Sequence, residues 1–212
     1  MNESVLKNEL IFEYASGSLG PSKSIFASTY LYLNSKASKL NHTFENIMGD
    51  DLINNDGISP KKLTYADCLT SNTSSLKNNK NNQSPISRLV GPIDNIRWKQ
   101  IYKGFSEFIP EISKTDNVDE LKLIKMEPGT SVPIHSHGGK EFILVLNGSF
   151  NDEYGKFSKG DMQINDQNIK HTPIACKDEG CVCLTITEKD VIFFGRFGSI
   201  LNLFTFIRSF FK

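Results

Sequence analysis

The 212-residue chain carries 24 Lys plus Arg against 24 Asp plus Glu, a formal net charge of zero. No overall attraction to nucleic acid or acidic lipid is therefore expected, and direct nucleic-acid binding is set aside. The length accommodates one large domain or two small ones. Four cysteines, Cys68, Cys176, Cys181 and Cys183, include no C-x-x-C pair. That spacing argues against a disulfide framework and a cysteine-rich zinc site, and predicts a reducing, cytoplasmic setting.

The first 17 residues hold no continuous apolar stretch of signal-peptide length and are interrupted by Glu3, Glu9 and Glu13, so export is not expected. Leu10, Ile11, Tyr14 and Ala15 suggest a short helix that stops around Gly17 to Gly20, before Pro21. Residues 22–48 place Ile25, Phe26, Tyr30, Leu33, Leu40, Phe44 and Ile47 at the three-and-four spacing of helices with one apolar side. Residues 1–50 are thus expected to form a small helical domain. Loop and polar linker follow over 51–96, including SNTSSLKNNKNNQ at 71–83, too polar to bury a core.

The character changes from Trp98 onward. Short apolar or alternating segments at 98–102, 120–126, 141–147, 171–175 and 181–187 read as strands. Turn signals at Pro128-Gly129, Asn147-Gly148, Tyr154-Gly155 and Lys159-Gly160 recur among them, as in an all-β sandwich or barrel over 97–195. The final stretch, 196–212, is an apolar helix or tail. Between Arg196 and Arg208 it has 11 uncharged residues, short of the roughly 20 that a membrane span needs. It suits packing on the barrel or docking to a partner.

Three of the four histidines fall in one pattern with a glutamate: Gly129, His135, His137, Glu141 and Gly148, then Gly160 and His171. His-x-His on an extended segment directs both imidazoles to one face. The next strand supplies Glu141 from the side it shares with Ile143 and Val145, and His171 arrives from a distant strand. Three imidazole nitrogens and a carboxylate oxygen suit one divalent ion, among Zn, Fe, Mn, Ni or Cu. Gly129 and Gly148 permit tight turns that bring the ligand strands together. His42, outside the pattern, reads as an exposed helix residue. Cys181 and Cys183 share a strand face; a redox reading competes with that of small buried hydrophobes.

These residues reproduce the first cupin motif, G-x5-H-x-H-x3-E-x6-G, without a spacing change. Gly160 and His171 keep the spacing of the second, with Asp166 and Asn168 where Pro and Gly are usual. Together with ELIFEYASGSLG at 9–20 and HTPIACKDEGCVCL at 171–184, the chain resembles the ChrR-type anti-sigma factors, whose helical N-terminal domain precedes a zinc-binding cupin. The resemblance implies an α+β fold, a helical domain followed by a cupin (jelly-roll) barrel, with His135, His137, Glu141 and His171 holding zinc. It also implies an alternative, extracytoplasmic-function type sigma factor as partner, released under oxidative stress by singlet oxygen or peroxide. Homodimers are common among cupins.

Such anti-sigma factors hold a second zinc in the helical domain. The corresponding positions here are Val5, Tyr30, Asn34 and Ala37, none a normal zinc ligand, so no N-terminal zinc is expected. The rival class is a metal-dependent cupin enzyme of dioxygenase or isomerase type, which the same four ligands would serve. Phosphate-loop, nucleophile-elbow and dinucleotide-binding fingerprints are absent from the sequence.

Overall fold

The structure, a computed structural model, describes residues 3–54, 83–115 and 119–195, together with Gly198 and Asn202. It separates into two compact units, residues 1–93 and 94–212. The first contains helices α1 (Glu3–Ala15), α2 (Pro21–Leu33) and α3 (Ser35–Asn54). The segment expected to be helical over 22–48 is two helices, and Asn34 is the reason. Its backbone is extended, ending α2 with an N–H bond to the Tyr30 carbonyl, while its Oδ1 accepts from the Ala37 N–H at 3.1 Å to start α3.

Leu6, Leu10, Ile11, Ile25, Phe26, Tyr30 and Ala37 form the buried faces of these helices. Among the described residues a fourth, short helix, Pro85–Val90, lies inside the stretch expected as loop and linker. Ser84 caps it by accepting from the Ser87 N–H, and it packs on α2 with Ile86 fully buried. One apolar side chain thus draws the end of a polar segment into the helical unit. The linker sequence up to residue 82 and Cys68 lie outside the described residues.

The second unit is an antiparallel assembly of β1 (Lys99–Tyr102), β2 (Phe105–Phe108), β3 (Glu120–Met126), β4 (His135–His137), β5 (Glu141–Asp152), β6 (Gly155–Ser158), β7 (Met162–Asn165), β8 (Ile174–Ala175), β9 (Cys181–Thr187) and β10 (Val191–Phe193). The main sheet runs β1-β2-β3-β9-β5-β6, with β7 and β8 also on β5; β4 and β10 form a separate ribbon. The α+β class, helices followed by a β-barrel domain, is as expected.

Strand β5 organises this unit. Its first half, Glu141–Leu144, pairs with β7, and its second half, Ser149–Asp152, pairs with β6. β9 follows it from Glu141 to Gly148 across a register shift between Val145 and Asn147. The turn signal at Asn147-Gly148 is therefore a bulge within one long strand, not the end of a strand at 147; a bulge bends a strand without ending it. On one face of the central strands, Leu121, Leu123, Leu144, Leu184 and Ile186 are fully buried. On the other, Met126, Ile143, Val145, Phe150, Ala175, Cys181 and Cys183 pack together, and Glu141 follows their alternation.

Of the segment 171–175, only Ile174–Ala175 is a strand; His171 forms a lone bridge with His135. Apart from Gly198 and Asn202, the apolar 196–212 segment lies outside the described residues. Asn202 brackets Phe193, with Oδ1 accepting from its N–H at 2.7 Å and Nδ2 donating to its carbonyl at 3.0 Å. Among the described residues no helix is long and apolar enough to cross a membrane.

Candidate metal centre

His135 and His137 occupy the two ends of β4 and are both buried. One edge of β4 pairs with β10, where Phe193 stands opposite His135 and Val191 opposite His137. At the other edge His135 exchanges backbone hydrogen bonds with His171, at 3.2 and 3.1 Å. The chain thus delivers the third imidazole from 36 positions away through two main-chain bonds. Glu141 opens β5 on its inner face. All four side chains are buried, and one potential ligand atom from each lies within 4.8 Å of the others.

The hydrogen bonds around the imidazoles assign their protons. His135 Nδ1 lies 2.9 Å from the Pro133 carbonyl, and His171 Nδ1 lies 3.1 Å from Asp152 Oδ2. Both of these oxygens can only accept, and they are nearer than the one amide donor at His171 Nδ1, Asn165 Nδ2 at 3.4 Å, so each Nδ1 carries hydrogen and each Nε2 turns toward the centre. The two Nε2 atoms are 3.0 Å apart. Two lone pairs at that separation repel unless a cation lies with them, either a proton or a metal ion.

His137 gives the second sign. Its Nε2 is 3.0 Å from Glu141 Oε2, yet neither ring nitrogen makes a hydrogen bond of proper geometry, although the side chain is only 1% exposed. A buried polar atom left so is costly. A divalent cation at the centre of the cluster would satisfy it, and the donor set is one such ions accept. The residues present therefore fit a metal ion.

Electrostatics agree with competition between proton and metal. Burial lowers the pKa of His135 to about 4, against the attraction of Glu141. Burial would also lower His171, but its bonds to Asp152 and Glu141 carry it up to about 9. Burial acts to raise Glu141, and the neighbouring His137 and His171 overcome it, holding the carboxyl well below its ordinary range.

Between about pH 4 and about 9 the metal-free protein thus keeps a proton on His171 that an incoming ion must displace. Metal affinity is expected to rise across that interval by up to about tenfold per pH unit, and to level off above the upper value. Calorimetric titration of zinc in buffers of different ionisation enthalpy would check this by counting released protons. Binding that releases none at pH 7 would contradict it.

Sequence reasoning did not single out the residues behind the three histidines and Glu141. Gln163 Nε2 donates to Asp152 Oδ2 at 2.8 Å, and Asn165 Nδ2 donates to Glu141 Oε2 at 3.1 Å. Gln163 and Asn165 alternate along β7, which pairs with the Glu141 end of β5. The available signal was their polarity at alternate positions of an otherwise apolar strand. His42 is exposed on α3 and faces Glu45 at 3.0 Å.

Cys181 and Cys183 are buried in the same barrel interior, with their sulfurs 3.3 Å apart. The contact with Cys181, together with burial, pushes the Cys183 thiol well above its ordinary range, which disfavours the reactive thiolate. In the helical unit, Val5 is exposed while Tyr30 and Ala37 are packed in the core. Asn34 spends its side chain on the α3 cap.

Comparison with known proteins places this geometry. The profile of a family described as the ChrR cupin-like domain matches residues 87–189. The anti-sigma-E factor ChrR of Cereibacter sphaeroides is 34% identical over 119 residues, covering 56% of this chain and 53% of the relative. The match therefore spans about half of that relative's length. A chain in the crystal structure of Rhodobacter sphaeroides SigE in complex with the anti-sigma ChrR superposes with a TM-score of 0.69 at 27% identity. That match covers 85% of this chain and 96% of the other.

Proposed function

Since residues 87–189 match the profile of the ChrR cupin-like domain family, we propose that the protein is a metal-binding cupin regulator that acts as an anti-sigma factor. Its partner in this reading is an alternative sigma factor of the extracytoplasmic-function type. The observation that carries the reading is the match to the SigE–ChrR structure across 85% of the chain, too much to be met by the barrel unit alone. The helical unit gives the sigma factor a surface. The barrel, with His135, His137, Glu141 and His171 as ligands of one zinc ion, gives the control element.

All four donors come from the protein and are buried, an arrangement suited to a closed structural or sensing site. The ion would hold β4, the start of β5 and the His171 segment together. Loss or attack of this cluster under oxidative stress would loosen the barrel and release the partner. The protein is read as cytoplasmic, where sigma factors work.

Co-expression with a candidate sigma factor, followed by copurification and a promoter-driven transcription assay, tests the proposal. A stable complex that represses transcription and dissociates on exposure to singlet oxygen or peroxide is expected. A purified chain that binds metal but neither binds nor represses any such sigma factor would favour the rival reading as a metal-dependent cupin enzyme.

A further inference from the structure

Asp152 lies at the far end of the strand that begins with Glu141, eleven positions away, and the bend in β5 brings the two carboxylates onto one histidine. Glu141 Oε2 is 3.4 Å from His171 Nε2, and Asp152 Oδ2 is 3.1 Å from His171 Nδ1. The His171 and Asp152 side chains are both completely shielded from solvent. The Asp152 carboxylate is itself fixed on both oxygens. Oδ2 accepts from Gln163 Nε2 at 2.8 Å, and Oδ1 accepts from the Tyr154 N–H at 2.9 Å.

From this geometry we infer that Asp152 is the positioning residue of the metal centre: it holds His171 with Nδ1 protonated and Nε2 presented to the ion, and it supplies the second negative charge that neutralises a divalent cation in a buried site. This rests on the reading of the four-residue cluster as a metal site. Two features distinguish the role from ordinary packing. A buried carboxylate needs positive charge or several donors to be tolerated, and the uncharged partners of Asp152 leave the histidine and its ion as the source. Moreover, His171 has no strand of its own to fix its ring: it sits on a lone bridge, so orientation falls to the side chain behind it.

Gln163 extends the arrangement one step. It stands on β7, opposite Ile143 of β5, and ties Asp152 to the same pair of strands that carries Glu141. The ligand carboxylate and the supporting carboxylate are thus parts of one rigid frame, against which the His171 segment is clamped.

The test compares the wild type with Asp152→Asn and Asp152→Ala in zinc competition against a chromophoric chelator. Visible spectra of the cobalt-loaded proteins and melting of the metal-free proteins accompany it. Asp152→Asn keeps a hydrogen-bond acceptor without the charge, and is expected to weaken zinc binding about tenfold; Asp152→Ala, lacking both, about a hundredfold. The Asn variant should retain a four-coordinate cobalt spectrum and still fold without metal, with a loss of metal-free stability smaller than its loss of zinc affinity, because the buried ion pair with His171 is also present in the metal-free protein.

Wild-type affinity in both variants would overturn the inference. So would an affinity loss matched by an equal loss of stability in the metal-free Asn variant, since the residue would then be only structural. A wild type that binds neither zinc nor cobalt would instead overturn the underlying metal reading.

Discussion

Replacing His137 with alanine is expected to abolish stoichiometric metal binding, whereas His42→Ala leaves it unchanged. His137 is buried in β4 with both ring nitrogens lacking a hydrogen bond, so its imidazole gains more from an ion than from any protein neighbour. Removing it leaves three donors and leaves Glu141 without the nearest of its two imidazole partners, at 3.0 Å. With structural zinc bound by roughly 10–16 kcal/mol over four ligands, one ligand is worth about 3 kcal/mol, a hundredfold or more in affinity.

Elemental analysis of protein purified without added metal should find about one equivalent of zinc in the wild type and in His42→Ala, and little in His137→Ala. Because an ion that binds only the folded state stabilises it, added zinc should also raise the melting temperature of the first two proteins and not of the third. A full equivalent retained by His137→Ala would place the site elsewhere. Two equivalents in the wild type would reopen the question of the helical unit, where Asn34 and the packed Tyr30 and Ala37 occupy the relevant positions.

What could be read in advance follows from how local each determinant is. The four clustered residues were legible because their spacing, two on one short strand and one opening the next, is a property of the chain itself. Helices α1, α2 and α3 and strands 120–126 and 181–187 announced themselves by apolar periodicity. β2, β6, β7 and β10 did not: each is only three or four residues long and owes its existence to pairing with a partner, not to its own pattern.

The burial of Ile86 was likewise invisible, since a single apolar residue in a polar stretch acquires meaning only from the surface it meets. Asp152 was hidden for the same reason. Its sequence context, Asn-Asp-Glu-Tyr-Gly, reads as a turn, and nothing local reveals that the strand bends to bring it behind His171.

That bend supplies the second large expected effect. Gly148→Ala should destabilise the protein by about 3–5 kcal/mol, in the range reserved for severe steric defects. Gly148 has φ +69°, and a Cβ there would stand 2.2 Å from the Gly180 carbonyl oxygen and 3.0 Å from its carbon. Both are main-chain atoms, so no side-chain rotation relieves the collision; β5 and the connection into β9 must separate. The left-handed backbone adds about 1–2 kcal/mol.

Gly129, the other glycine of the same sequence motif, provides the control. It has φ +73° but meets only the Lys177 Cγ, at 3.8 Å, so Gly129→Ala should lose the backbone contribution alone, about 1–2 kcal/mol. Urea unfolding of the metal-free proteins would compare the two directly. Equal losses would mean that the close approach of Gly148 to Gly180 is relaxed at little cost. The expected inequality would instead explain the spacing between Glu141 and Gly148 in physical terms: the strand must pass against Gly180 at that point in order to turn Asp152 toward the histidine whose other face Glu141 already meets.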